Sequence, residues 1–420
     1  MAETLEHDRN TSTGDLEDLI ASFEQSHVII GQRVEKSVNN PRGFKHVGII
    51  IPDKPAILFM GGTGTELHKG ADESANGYLS KMEAYIKNRG IEEVLEKQGK
   101  DPDIKKSVGF YSIIYDFGRR INGDDICDAD TARGKLYIDH KQIWSKNEYK
   151  IVGDKVYYKG QIEKGISADT LKPHYIEELF NMAFRSRICG EDGKRLSFED
   201  ACKRVRNITV CAHCHGAYTF LKIEEKMQQM MKQLGYSNEE RAQIQSQLLC
   251  IAFSPDTPLG ISKSKMISFI SSFDNKLNGG YYYNFNNFKE AVRILHASKE
   301  KIEPSYFPEK QGEFFLIDKI YNSCNSLIWD KEHNLLNNDR EPMTNAGKVL
   351  FNFAANAIAG GIKSSLEETP LPSVEQLVCG ENENNKVLFQ KLKENGEILW
   401  RKIKNIIKIR IAGRFNQKTL

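Results

Sequence analysis

No stretch of this 420-residue chain stays apolar for the roughly 18 residues that a bilayer-spanning helix needs. The first 25 residues lack a basic start, an apolar core and a small-residue cleavage site, so no secretory leader is expected. Synthesis in the cytoplasm is the expectation, and any export would use a signal-peptide-independent system. An excess of one charge is missing too: 59 Lys and Arg against 57 Asp and Glu leave no global footprint for nucleic acid, which is excluded as a partner. Cysteine is sparse and scattered, with a single C-x-x-C pair among 8 residues. A closed zinc site usually takes two such pairs. Without an export signal, these cysteines are expected to be reduced and mostly small buried side chains.

What is present centres on residues 208–220, ITVCAHCHGAYTF. Cys211, Cys214 and His215 spell C-x-x-C-H, the attachment pattern of c-type haem, but no axial-ligand motif accompanies it. In an extended strand Cys211 and His213 would share a face while Cys214 pointed elsewhere, which disfavours zinc. The third possibility is a sharp turn between a buried strand and a helix that presents Cys214 as a nucleophile.

The rest of the chain supplies a context. Residues 1–45 form an arm and lead-in, with a polar, acidic and mobile start. The run Ala56–Met60 breaks into Gly61, Gly62, Thr63, Gly64 and Thr65, a loop where backbone amides can approach a ligand. VGFYSIIYDFG ends at Asp116 and Gly118. A third strand, Ile208–Cys211, leads to a helix over Ala217–Met227. A fourth, Leu248–Phe253, ends in Ser254-Pro255-Asp256. Continuous apolar strands separated by helical stretches predict an α/β fold, a mostly parallel sheet with helices on both faces, and a reactive rim beyond the strand ends. An insertion over about residues 119–195 reads as a cap, with a hairpin turn at Gly153-Asp154. NAGKVLFNFAANAIAGGI predicts a core helix stopped at Gly360-Gly361. No internal repeat stands out.

A nucleophile elbow needs small neighbours, because the following helix must pack close against the strand; Ala212, Gly216 and Ala217 provide them. A helix beginning at His215 would aim its amides at the thiol and favour the thiolate. The amide of His215 and one from the loop at Gly62 and Thr63 are the natural oxyanion donors. A buried structural Cys214 beside a plain tight turn is the competing explanation.

These residues resemble a family of α/β-hydrolases, the first family of type VI secretion lipase effectors and their bacterial and fungal relatives. LFMGGTGT is similar to the family's D-G-T-x-N loop, with Gly61 in place of the acid. IIYDFG resembles its tyrosine and glycine-rich turn. AHCHGAYT stands against its G-F-S-R-G-A-[YF]-T elbow, and PDTPLG against its W-D-T-x-x-x-G acid segment. HASKEKIEPSYFPE, from His296, is similar to a downstream family segment, and LIWDKEHNLL holds His333 in the order of the catalytic histidine, though without the family's aspartate and paired glycines. The ordered motifs span about residues 55–355.

The resemblance implies an α/β-hydrolase-like domain over 46–340 and a helical region over 341–420. It implies a bacterial effector, an ester or lipid acyl hydrolase or acyltransferase, with no cofactor or metal. Cys214 would be the nucleophile, His333 the base with His296 in reserve, and Asp256 the acid; His213, Gly61 and Asp116 would line the pocket. Cysteine in place of serine suits acyl transfer, since a thiolate is intrinsically reactive. A cysteine protease and a catalytically silent binding module of the same fold stand as alternatives. Residues 386–420 carry ten Lys or Arg against two Glu, interleaved with Trp400, Ile403, Ile406, Ile407 and Ile411. Such a basic amphipathic helix suits an anionic membrane surface or packs as a last helix.

Overall fold

Apolar runs with few polar interruptions cannot leave either face in water, so they become central strands of a sheet covered on both sides. The computed structural model of the protein describes residues 28–62, 71–115, 118–121, 124–130, 135–138, 141–145, 149–152, 155–158, 161–167, 174–255, 262–271, 314–317, 320–322 and 342–391. Strands β1 (Val28–Arg33), β2 (Phe44–Val47), β3 (Ala56–Met60) and β4 (Gly109–Tyr115) precede an insertion. The insertion holds β5 (Gly118–Ile121), β6 (Asp124–Asp130), β7 (Lys135–Ile138), β8 (Lys141–Ser145), β9 (Tyr149–Val152), β10 (Lys155–Tyr158) and β11 (Gln161–Ser167). Then come β12 (Ile208–His213), β13 (Leu249–Phe253), β14 (Lys265–Ser271) and β15 (Phe314–Ile317).

The main sheet has eight strands in the order β2-β1-β4-β3-β12-β13-β14-β15. Strands β4, β3, β12, β13, β14 and β15 run parallel, while β1 pairs antiparallel with β4 and β2 antiparallel with β1. The expected α/β architecture with a mostly parallel sheet is therefore present.

Helices cover both faces. They are α1 (Ala71–Ile86), α2 (Ile91–Lys97), α3 (Ile104–Ser107), α4 (His174–Ala183), α5 (Phe198–Arg206), α6 (Gly216–Gln233), α7 (Asn238–Ser246), α8 (Asn345–Leu366) and α9 (Val374–Cys379). Alternate residues of each central strand point to opposite layers. Ile57, Phe59, Leu249, Ile251 and Phe253 join Leu79 and Met82 of α1 and Phe353, Ala357 and Ile358 of α8 in one core. Leu58, Met60, Val210, Ala212, Cys250 and Ala252 join Leu179 and Phe180 of α4 and Phe220, Ile223 and Met227 of α6 in the other. Full burial of each Leu, Ile, Val, Phe or Met among them contributes about 1.5–3 kcal/mol.

Three features differ from the sequence expectation. Helix α8 does not stop at Gly360-Gly361 but runs on to Leu366. A Cβ on Gly361 would lie 2.6 Å from Oγ1 of Thr209, and one on Gly360 would lie 2.8 Å from Leu377, so the glycines let α8 press on β12 and α9. The inserted strands end at Ser167, and α4 with the following residues joins the main core through Tyr175, Leu179, Phe180, Phe184 and Ile188. The described residues of the insertion are all in strands, which form two small antiparallel sheets ordered β5-β6-β7-β8 and β9-β10-β11. Its register repeats one device: Ile121 faces Asp124, Ile138 faces Lys141, Val152 faces Lys155 and Tyr158 faces Gln161, each pair with two residues of chain between.

Candidate functional site

Strand β12 is buried at all six positions and lies between β3 and β13, so whatever follows it emerges at the middle of the sheet's carboxyl edge. Cys214 follows at once, with a backbone φ of +52°. A left-handed conformation costs a residue with a Cβ about 1–2 kcal/mol, so it persists only where the surroundings impose it. Those surroundings are identifiable. The Cys214 amide donates to the carbonyl of Phe253 at the end of β13 (3.1 Å), and the Ala217 amide closes the turn on the Cys214 carbonyl (3.1 Å). Helix α6 starts two residues later, at Gly216.

The turn is packed against the end of β3 as tightly as backbone allows. A Cβ on Gly216 would sit 2.0 Å from the Met60 carbonyl oxygen and 2.9 Å from that of Gly61. A Cβ on Gly62 would sit 2.6 Å from the Cys214 Cβ, 3.0 Å from the His213 carbonyl oxygen and 3.1 Å from the His215 nitrogen. Glycine is required at both places because two backbones meet there. Of the expected small neighbours of the elbow, Gly216 thus has a physical role, and the glycine-rich loop after β3 begins directly beside Cys214.

The flanking histidines part company. His213 is buried beneath α1, its ring 6.4 Å from that of Tyr78, which in turn stacks on Phe59 at 4.6 Å. It therefore lies inside the α1 layer. His215 is half-buried at the start of α6, its ring 4.9 Å from Tyr218, with the Lys222 ammonium 5.7 Å from the Tyr218 ring centre. Cys214 itself is half-buried.

The other described cysteines contrast with it. Cys211 and Cys250 are fully enclosed in the sheet, and burial pushes both thiols far up from their ordinary range. Burial also pushes Cys202 and Cys379 up to about 11. Among the described residues no group of three or more His, Cys, Asp and Glu side chains could hold a metal ion. No described helix is long and apolar enough to cross a membrane.

At the end of β13, Ser254 also has a left-handed φ, +44°, and is fully enclosed. Sequence reasoning passed over it, because a serine before proline gives no sign of a left-handed backbone. The structure brings Cys214, His213, His215, Gly61 and Gly62 together. Thr63, Asp116, Asp256, His296 and His333 lie outside the described residues, as do the hairpin turn Gly153-Asp154, the N-terminal arm up to residue 27 and the basic end from residue 392.

No protein-family model matches this chain, and no curated protein matches it significantly.

Proposed function

We propose that the protein is an acyl hydrolase or acyltransferase of α/β-hydrolase type, with Cys214 as nucleophile. One observation carries the reading: Cys214 holds a left-handed backbone on a turn between a central parallel strand and a helix, clamped by two glycine contacts that exclude any side chain. A purely structural cysteine gains nothing from that strain, whereas a nucleophile needs it to stand clear of the strand and helix.

The strand order supports the fold assignment. In the order β4-β3-β12-β13-β14-β15, the strand before Cys214 lies between β3 and β13, an arrangement compatible with an α/β-hydrolase. The two leading strands are exchanged at the edge relative to that fold, with β1 inside β2.

In this reading the Cys214 thiolate attacks an ester carbonyl, and the amides of His215 and of the Gly62-Thr63 loop receive the oxyanion. An imidazole, His333 with His296 in reserve, returns the proton to the leaving alkoxide, and Asp256 steadies the imidazolium. Water, deprotonated by the same imidazole, then cleaves the thioester and regenerates the thiol. In the chain, Asp256 comes after β13 and His333 after β15, the order that the resemblance gives to the acid and the base. The resemblance to lipase effectors favours ester and lipid substrates.

The test is turnover of p-nitrophenyl esters of graded chain length by the wild type and by Cys214→Ala, joined to active-site titration with an acyl probe. Hydrolysis that vanishes in Cys214→Ala, with a probe adduct on Cys214, supports the enzyme. Adduct formation spread evenly over the thiols, with no turnover, would show a silent module of the same fold.

A further inference from the structure

Glu224, two turns into α6, is an enclosed carboxylate that no opposite charge offsets. Among the described residues no lysine, arginine or histidine pairs with it, and the groups that act on it, Ser262, Ser264 and Gln245, are neutral. The Cys250 thiol of β13 also stands near it, and burial keeps that thiol protonated. A buried carboxylate of this kind is ordinarily paired with a cation or a metal ion.

Its two oxygens are unequally served. Oε1 accepts from the Ser262 hydroxyl (2.8 Å) and the Ser264 amide (2.7 Å), whereas among the described residues no hydrogen bond reaches Oε2. Two further polar groups beside it lack a match: the Ser264 hydroxyl and Gln245 Nε2 are buried without a hydrogen-bond partner. Both side chains hold the Glu224 pKa down, so they stand close to the carboxylate without meeting it in hydrogen-bond geometry. An unmatched hydroxyl and an unmatched amide beside an unpaired charge all oppose folding at one place.

We propose that Glu224 Oε2, the Ser264 hydroxyl oxygen and the side-chain carbonyl of Gln245 bind a monovalent alkali cation between α6, α7 and the start of β14. All three ligands are hard oxygens, which suit an alkali or alkaline-earth ion rather than zinc or copper. One carboxylate balances one positive charge, and a divalent ion would leave a net charge in a buried site. Gln245 presents its oxygen after a half-turn of its amide. Gln228, which donates to Gln245 Oε1, keeps its bond by a matching half-turn, with the roles of donor and acceptor exchanged. Gln228 and Ser262 are half-buried, so that side of the cluster lies nearest solvent. The site is independent of the reading of Cys214. Without alkali ions only a proton neutralises Glu224.

The experiment is thermal unfolding of the full-length protein at about pH 8 in choline chloride, with sodium chloride replacing it at constant ionic strength. Wild-type Tm is expected to rise by about 2 °C as sodium reaches about 100 mM. Ser264→Ala, which keeps the Ser264 amide bond to Glu224, is expected to need about tenfold more sodium for the same rise. Glu224→Gln is expected to melt alike in both salts. The comparison of salts in the wild type needs no variant to fold: equal Tm in sodium and choline chloride would overturn the proposal, the unmatched groups then being bridged by water. A sodium-dependent rise that persists in full in Glu224→Gln would overturn it too, since the ion would then lie elsewhere. So would a rise with calcium chloride that exceeds the sodium effect and is lost in Glu224→Gln, which would mark a divalent site.

Discussion

Gly62 and Cys214 share a space that admits one side chain: a methyl group at Gly62 would lie 2.6 Å from the Cys214 Cβ. Two loops, from strands with more than a hundred residues of chain between them, are therefore fitted to each other at the level of backbone atoms. Contacts of this kind fix geometry, because neither backbone can yield without moving its strand.

Gly62→Ala is expected to destabilise the protein by about 1–3 kcal/mol and to slow alkylation of Cys214, since relief of the clash must turn either the elbow or the loop. Gly216→Ala is the harsher change. Its new Cβ meets the Met60 carbonyl oxygen at 2.0 Å, a backbone atom in the middle of the sheet. A loss above about 3 kcal/mol is expected. Urea titration of the two variants should rank them in that order; equal stability of both with the wild type would mean that the elbow is not clamped by β3.

Thiol chemistry should separate Cys214 from its neighbours without any knowledge of substrate. A thiol with a pKa near 11, as burial gives Cys202 and Cys379, is thiolate at only about one part in ten thousand at neutral pH. Cys211 and Cys250 are enclosed besides. Brief iodoacetamide treatment of the native protein, read peptide by peptide, should modify Cys214 at least about tenfold faster than these four. Raising the pH should bring Cys202 and Cys379 into play before Cys211 and Cys250.

The same residues explain why part of this architecture could be read from the sequence and part could not. Ala56–Met60 and Leu249–Phe253 are unbroken apolar runs, so their place as central strands follows from solvent exclusion alone. Val28–Arg33 and Phe44–Val47 are short and mixed with Gly31, Arg33, Lys45 and His46; the first pairs on the edge that β4 offers, and the second on the edge of the first. Gly360-Gly361 has the composition of a helix stop, yet the tertiary contact with Thr209 and Leu377 overrides local preference. The elbow was legible because its small residues are named in the sequence. The strain at Ser254 was not, since serine takes that conformation only when neighbouring strands impose it.

Among the described residues Arg187 is the largest fully enclosed side chain, and its guanidinium serves three carbonyls: Nε donates to Ala183 (2.9 Å) and Nη1 to Arg204 (2.6 Å) and Pro52 (3.3 Å). Burial pulls its pKa well down from the ordinary arginine value. A buried cation is a poor source of stability by itself, but its removal strands the acceptors it serves. Arg187→Met is expected to cost about 3 kcal/mol in a chemical melt. Arg187→Lys should recover only part of this, since one ammonium cannot span the three carbonyls. A Met variant as stable as the wild type would show that those carbonyls find other donors.

Glu224 sets a pH dependence opposite to that of most carboxylates. It sits two turns into α6, enclosed, and its Oε1 accepts from the Ser262 hydroxyl (2.8 Å) and the Ser264 amide (2.7 Å) at the entry to β14. Burial raises its pKa above 4.5, and the bonds from Ser264 and Ser262 offset only part of that rise. Between the unfolded value and the raised folded value, the native state holds a proton that the unfolded chain has lost. The contribution of Glu224 is therefore fully present below pH 4.5 and is lost as pH rises through the folded pKa. Glu224→Gln keeps an acceptor oxygen for both serines and removes the titration. The variant should match the wild type in acid and be the more stable near neutral pH. Urea melts of both proteins at several pH values give the difference directly; a gap that closes as pH rises would show that the bonds from Ser262 and Ser264 outweigh burial.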